Sequence, residues 1–252
     1  MRASIGTFAL GLALLLTGCG EGGGGGGNEA GAKNNAPVAS VPAPNGGDWT
    51  QTVTATPQGS FVMGNPDAPV KLVEFGSFTC PHCAKFSEEG TPALIDRYVK
   101  TGQVSFEYRN FVRDPADLAA SLLARCGGPT PFFTLTDQLF AAQNEWLGRL
   151  QTALTPADQQ AMQSMAPGQV AVTIADKAGL IQFARMRGIP EEKARTCLAD
   201  QQATERLVAM TNEGTQTYQL PGTPSFLING KLVEDSADWK ALEPKLREAL
   251  GG

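Results

Sequence analysis

Val70-Lys71-Leu72-Val73-Glu74-Phe75-Gly76-Ser77-Phe78-Thr79-Cys80-Pro81-His82-Cys83 is the stretch on which the reading of this chain turns. Val70 to Phe75 is a short apolar, β-rich run after the turn signal Asn65-Pro66-Asp67-Ala68-Pro69, the pattern of a buried strand. The cysteine pair follows at once and opens a helix that should run towards Thr101, kinked at Pro92, which removes a backbone donor. Val104 to Asn110 reads as a second strand. Strand, helix, strand in this order forms a βαβ unit, with parallel strands and a right-handed crossover.

A CxxC pair is either half a zinc site or a redox pair. Tetrahedral zinc needs two further ligands, and the chain has one histidine, His82 itself, and no second CxxC. No metal is therefore expected, and no cofactor beyond the Cys80–Cys83 disulfide. At a helix N-terminus the Cys80 thiolate is stabilised by the dipole and by unsatisfied N–H groups, and an imidazolium at His82 would add a positive partner. Cys83, almost one turn on, can close a small disulfide ring from a more buried position. A low thiolate pKa stabilises the reduced form, which makes the pair oxidising.

Downstream, the chain from Asp114 to about Gln219 reads as four or five helices, with Leu118, Leu122, Leu123 and Cys126 on one face and Leu135, Leu139 and Phe140 on another. Thr155-Pro156-Ala157-Asp158 and Thr173-Ile174-Ala175-Asp176 have capping-box spacing, and Gly188 and Pro190 mark a stop and a restart. Strands return at Ser225 to Ile228 and Lys231 to Val233 around the hairpin signal Asn229-Gly230, followed by a helix over about Ala237 to Leu250. Gly222-Thr223-Pro224 stands just before the first of these strands. A proline there is a candidate cis residue, a trans proline in a loop being the other reading.

Upstream, Arg2 and the apolar run Phe8 to Leu16 are too short to span a bilayer and describe an export signal. Leu16-Thr17-Gly18-Cys19 resembles a bacterial lipobox, which implies cleavage before Cys19 and lipid on its thiol. Gly20 to about Gly47, with six glycines in a row, has almost nothing to bury and reads as a flexible tether with a reach of roughly 30 Å. The expected layout is a signal over 1–18, a linker over 19–48, an α/β domain over 49–113 and 202–252, and a helical insertion over 114–201. A net charge of -5 without a basic block excludes nucleic acid as a partner.

Glu74 to Cys83, together with Gly222-Thr223-Pro224-Ser225-Phe226-Leu227-Ile228-Asn229-Gly230, resembles the bacterial DsbA family of envelope thiol:disulfide oxidoreductases. The resemblance covers about Phe61 to Leu250 and implies a thioredoxin-like α/β fold with a central sheet and an inserted helical domain. It implies that Cys80 is the nucleophile and Cys83 the resolving thiol, with Pro81 and His82 between them. Pro224 would be the cis-proline, Thr223 the main-chain anchor for an extended substrate, and Glu74 the buried acid exchanging a proton with Cys83. Three positions depart from the family. Thr223 stands where classical members carry valine, as reductases and isomerases more often do, Ser87 stands where a second acid is usual, and Phe106 where a charged strand residue is usual. Cys126 and Cys197 read either as a structural disulfide, as in some alphaproteobacterial relatives, or as two separate buried thiols.

The implied function is a periplasmic, lipid-anchored, monomeric dithiol oxidase. It would act on reduced or unfolded exported proteins and be recycled by a membrane or periplasmic redox partner. A reductase or isomerase of the same fold, or a non-redox holdase binding peptides beside Pro224, are the alternatives.

Overall fold

The structure, a computed structural model, describes residues 38–252. The signal over 1–18, Cys19 and the first part of the tether lie outside the described residues. Six strands form one sheet: β1 (Val53–Ala55), β2 (Phe61–Met63), β3 (Val70–Gly76), β4 (Val104–Asn110), β5 (Ser225–Ile228) and β6 (Lys231–Val233), in the order β1-β2-β4-β3-β5-β6. Strands β3 and β4 are parallel, from Val70 opposite Val104 to Gly76 opposite Asn110. The remaining pairs are antiparallel. β1 and β2 carry no sequence signal because three residues are too few to establish an alternation. The β5–β6 turn uses Asn229 (φ 50°) and Gly230 (φ 79°), the backbone that its Asn-Gly dipeptide favours.

The helix after the cysteine pair is broken rather than merely kinked. α1 (Pro81–Glu89) ends at Gly90, α2 (Thr91–Leu94) starts with Pro92 near its first turn, and a π-helical turn follows over Ile95–Val99. Proline has no N–H to continue the ladder and its ring clashes with the carbonyl four residues back, so a fresh helical start at Thr91, with Pro92 in its first turn, relieves both.

Eight helices, not four or five, occupy the segment after β4: α3 (Pro115–Arg125), α4 (Pro129–Ala141), α5 (Gln143–Ala153), α6 (Pro156–Met162), α7 (Pro167–Ala178), α8 (Leu180–Arg185), α9 (Glu191–Leu198) and α10 (Gln201–Gln216). The apolar period runs through their joints. α4 and α5 meet at the single residue Ala142, and α7 and α8 meet at Gly179 in the left-handed region (φ 73°). The Thr155–Asp158 capping box is present. The second expected box is helix interior. Thr173 Oγ1 donates to Gln169 O at 2.9 Å, and Asp176 instead pairs with Arg195 at 2.8 Å. The chain closes with α11 (Trp239–Ala249), capped by Asp238, whose side chain accepts from Ala241 N.

The tether is shorter than its composition suggests, because residues 38–48 are docked. Val38 N donates to Leu250 O and Val41 N to Thr101 O, both at 2.8 Å, and Trp49 Nε1 donates to Val41 O at 2.7 Å. Pro42 and Pro44 lower the entropy cost of an extended conformation, and Val38 packs against the core.

Sheet and helical insertion share one core rather than two. Phe61, Phe106 and Tyr108 of the sheet pack with Phe132, Phe133 and Phe140 of α4, with ring centroids 4.3 to 6.4 Å apart. The opposite sheet face carries a smaller cluster of Val73, Phe75 and Leu227.

Candidate active site

Cys80 is the N-cap residue of α1, with extended backbone and Pro81 in the first helical position. Proline costs nothing there, since that N–H has no helical partner in any case. The N–H groups of His82 and Cys83 point back at the Cys80 sulfur, and the Cys83 thiol donates to it as well. These donors, Cys83 foremost, hold the Cys80 thiol down at about 5 against an ordinary 9.0, although burial opposes them. His82 acts on Cys80 through its main-chain N–H, while its side chain is exposed.

The second cysteine is the opposite case. Cys83 is fully buried, and burial pushes its thiol well above 9.0, assisted by the Cys80 sulfur and the Glu74 carboxylate; only the Ser77 N–H, 3.5 Å from Cys83 Sγ, works against this. In this structure both sulfurs are thiols. One sulfur ionises readily and the other resists.

The Thr223–Pro224 peptide is cis. Thr223 O accepts from the Cys80 thiol at 3.1 Å, so residues 143 positions apart meet over the helix start. The Thr223 hydroxyl lies beside the Cys80 sulfur and supports its thiolate. Pro224 lines a cleft of about 660 Å³ together with Gln219, Pro221, Ser225, Leu232 and Val233. Glu74 is 2% exposed on the sheet face that α1 covers, and burial, then Asp137, then Cys80 raise its carboxyl well above 4.5.

The structure thus brings together Cys80, Pro81, His82, Cys83, Glu74, Thr223 and Pro224. It also adds groups that sequence reasoning missed. Asp117, fully buried on α3, accepts from Ser77 Oγ (2.6 Å), Phe78 N (2.8 Å) and Arg113 N (3.0 Å), and so fixes the loop leading into Cys80. Gln143 of α5 donates to Phe78 O and Cys80 O at 2.8 and 2.9 Å. Asp137 of α4 accepts from Ser87 Oγ at 3.2 Å, one helical turn below Cys83. Of these, only Asp117 left a sequence signal, as an acid two residues after Pro115 at a helix start. Among the described residues no cluster suits a metal ion, and no helix is long and apolar enough to cross a membrane. Away from this site, Cys126 and Cys197 are disulfide-bonded with Cα atoms 5.6 Å apart.

Burial raises Asp117 to about 7 and Asp137 to about 6, both from 3.8, and Glu74 above 4.5. An acid whose folded pKa exceeds its unfolded value contributes stability below the unfolded value and loses it as pH rises through the folded one. In the disulfide form, where Cys80 does not titrate, the thermal midpoint should therefore fall as pH rises from about 4 to about 7. Asp117→Asn should flatten that slope; an unchanged slope would remove Asp117 as its source.

The fold is thioredoxin-like, and the comparisons with known proteins agree with it. The family model described as Thioredoxin (Thioredoxin_4) matches residues 56–247, so the chain belongs to that family. It is similar to a protein of Rickettsia bellii named as a protein-disulfide oxidoreductase, 31% identical over 71% of this chain and 60% of that one. The chain thus spans little more than half the length of these curated relatives. A crystal structure of a protein-disulfide isomerase from Novosphingobium aromaticivorans superposes with a TM-score of 0.71 at 35% identity, covering 76% of this chain and 97% of that one. Alpha-DsbA1 of Wolbachia pipientis, at 20% identity and a TM-score of 0.58 over 84% and 94% of the two chains, shares the fold.

Proposed function

We propose that this chain is a thiol:disulfide oxidoreductase that works as a dithiol oxidase on exported proteins. The observation that carries the reading is the split between the two sulfurs, Cys80 held at about 5 and Cys83 pushed above 9.0 within one CxxC turn. In the disulfide form a substrate thiolate attacks Cys80 Sγ, and the S–S bond breaks with its electron pair going to Cys83. The Cys83 thiolate takes up a proton, supplied by Glu74, the buried acid whose charge acts on it. A second substrate thiolate then attacks the substrate sulfur of the mixed disulfide, and Cys80 leaves as a stable thiolate. Two electrons have passed from substrate to protein. A leaving thiolate of low pKa drives both attack and release in the oxidising direction.

Thr223 and the cleft beside Pro224 supply the place for an extended, unfolded substrate segment, aligned by main-chain hydrogen bonds. The Leu16–Cys19 motif supports a lipid-anchored position on the periplasmic side of an envelope membrane, and a redox partner there must reoxidise the dithiol. Mixing the oxidised protein with a reduced, unfolded secreted protein tests the reading. One substrate disulfide should form per molecule, with Cys80 appearing as thiolate. A substrate that keeps all its thiols would reject it.

A further inference from the structure

Tyr108 is fully buried in β4, and its hydroxyl has no hydrogen-bond partner. An orphaned buried hydroxyl is costly, and a phenylalanine would fill the same space among the rings of Phe78, Phe132 and Phe140 without that cost. Its location is specific. A Cβ placed on Gly76 would lie 2.5 Å from Tyr108 Oη, so the phenol occupies the space that the missing Gly76 side chain leaves. Gly76 lies two residues beyond Glu74 on the same face of β3, and Glu74 is paired across the sheet with Tyr108. The next N–H along the chain, that of Ser77, points at Cys83 Sγ. The hydroxyl therefore lies near both the Glu74 carboxylate and the Cys83 thiol without yet hydrogen-bonding either, in a pocket that residue 76 keeps open by being glycine.

We propose that the Tyr108 hydroxyl bridges Cys83 and Glu74 and passes the Cys83 proton towards the carboxylate when Cys83 resolves a mixed disulfide. The inference rests on the oxidoreductase reading above and adds a proton-relay residue to it. The step balances: the Cys83 proton goes to the phenol oxygen as the phenol proton goes to Glu74. Tyr108 ends unchanged, with Cys83 a thiolate and Glu74 an acid. Protonation of Cys83 during substrate attack is the same transfer reversed. Burial holds the phenol well above 10.0, so it acts as a neutral donor and acceptor. The titratable groups facing it are Glu74 from β3, Cys80 and Cys83 from the turn into α1, and Asp117 from α3.

The test is the reaction of the full-length dithiol protein with oxidised glutathione, quenched with acid at intervals and followed by mass spectrometry. The Cys80 thiolate attacks one glutathione sulfur and releases one glutathione. Cys83 then attacks Cys80 Sγ and releases the second, so the dithiol loses two electrons and the glutathione disulfide gains them. In Tyr108→Phe the first step should keep its wild-type rate, and collapse of the glutathionylated intermediate near neutral pH should slow by about tenfold to a hundredfold. The difference should close at alkaline pH, where hydroxide deprotonates Cys83 directly. Glu74→Gln should slow the same step, and the double variant should be no slower than the slower single. The thermal midpoint of Tyr108→Phe should hold or rise, which a merely structural role would not give. Collapse at the wild-type rate at every pH, or effects that multiply in the double variant, would overturn the proposal. A wild-type protein that forms no glutathione adduct would overturn the oxidoreductase reading, and the bridge with it.

Discussion

Replacing Cys80 by serine should reduce disulfide exchange with any thiol substrate by at least about 10³-fold, because the hydroxyl that takes its place is neither ionised nor a sulfur that a thiolate can attack. The fold should survive, since serine is close in size and the N–H groups of His82 and Cys83 that faced the sulfur can face an oxygen instead. Cys83→Ala should behave differently. It leaves the nucleophile but removes both the resolving thiol and the largest support of the Cys80 thiolate. Its mixed disulfides with substrate should therefore persist, and the Cys80 pKa should move up from about 5. Trapping on Cys83→Ala with none on Cys80→Ser, read by non-reducing gels and mass spectrometry, fixes the order of the two sulfurs. Exchange that continues in Cys80→Ser would leave only peptide binding beside Pro224 as an activity.

The second large effect concerns stability. The Cys126–Cys197 disulfide joins the end of α3 to α9 and closes a loop of 71 residues. In the chain-entropy model, constraining a loop of that length removes about 4 kcal/mol of unfolded-state freedom. The double variant Cys126→Ala, Cys197→Ala should lose about that much in urea unfolding, with the midpoint shifted and the slope nearly unchanged. Cys80 and Cys83 lie elsewhere, so exchange per folded molecule should stay at the wild-type level. A double variant as stable as wild type would show that the bond constrains little that the helices do not already hold.

The parts of this molecule that could be read in its sequence are those whose signals are local. Val70 to Phe75, the CxxC turn, Val104 to Asn110 and the Asn229-Gly230 hairpin each carry their own pattern, and each sits where that pattern puts it. The meeting of Thr223 with Cys80 was legible only through resemblance, since nothing within either segment points at the other. The helix count failed because Ala142 and Gly179 are joints that leave the apolar period intact. The docked stretch over 38–48 was hidden by composition, which reports what a segment can bury but not which carbonyls, such as Thr101 O and Leu250 O, stand free to receive its N–H groups. The site held the largest omission. Asp117, Gln143 and Asp137 come from the helical insertion and look like ordinary helix residues until the fold carries them to the cysteine loop. The positions where the sequence departs from its family acquire a physical setting in the same way. Ser87 lacks a charge but donates to Asp137, so an acid stands beside it from another helix. Phe106 is buried against Phe133, so no charge could stand there unpaired.

Whether the pair oxidises rather than reduces is the claim on which the rest depends. Its most direct test is the equilibrium reduction potential of the Cys80–Cys83 couple, measured on the purified protein in graded glutathione buffers. Since a Cys80 thiol held at about 5 stabilises the dithiol form, the potential should lie above about −180 mV, towards the ~−120 mV of strongly oxidising pairs. A value near the ~−270 mV of thioredoxin would contradict the account, because electrons would then flow from this protein to its substrates.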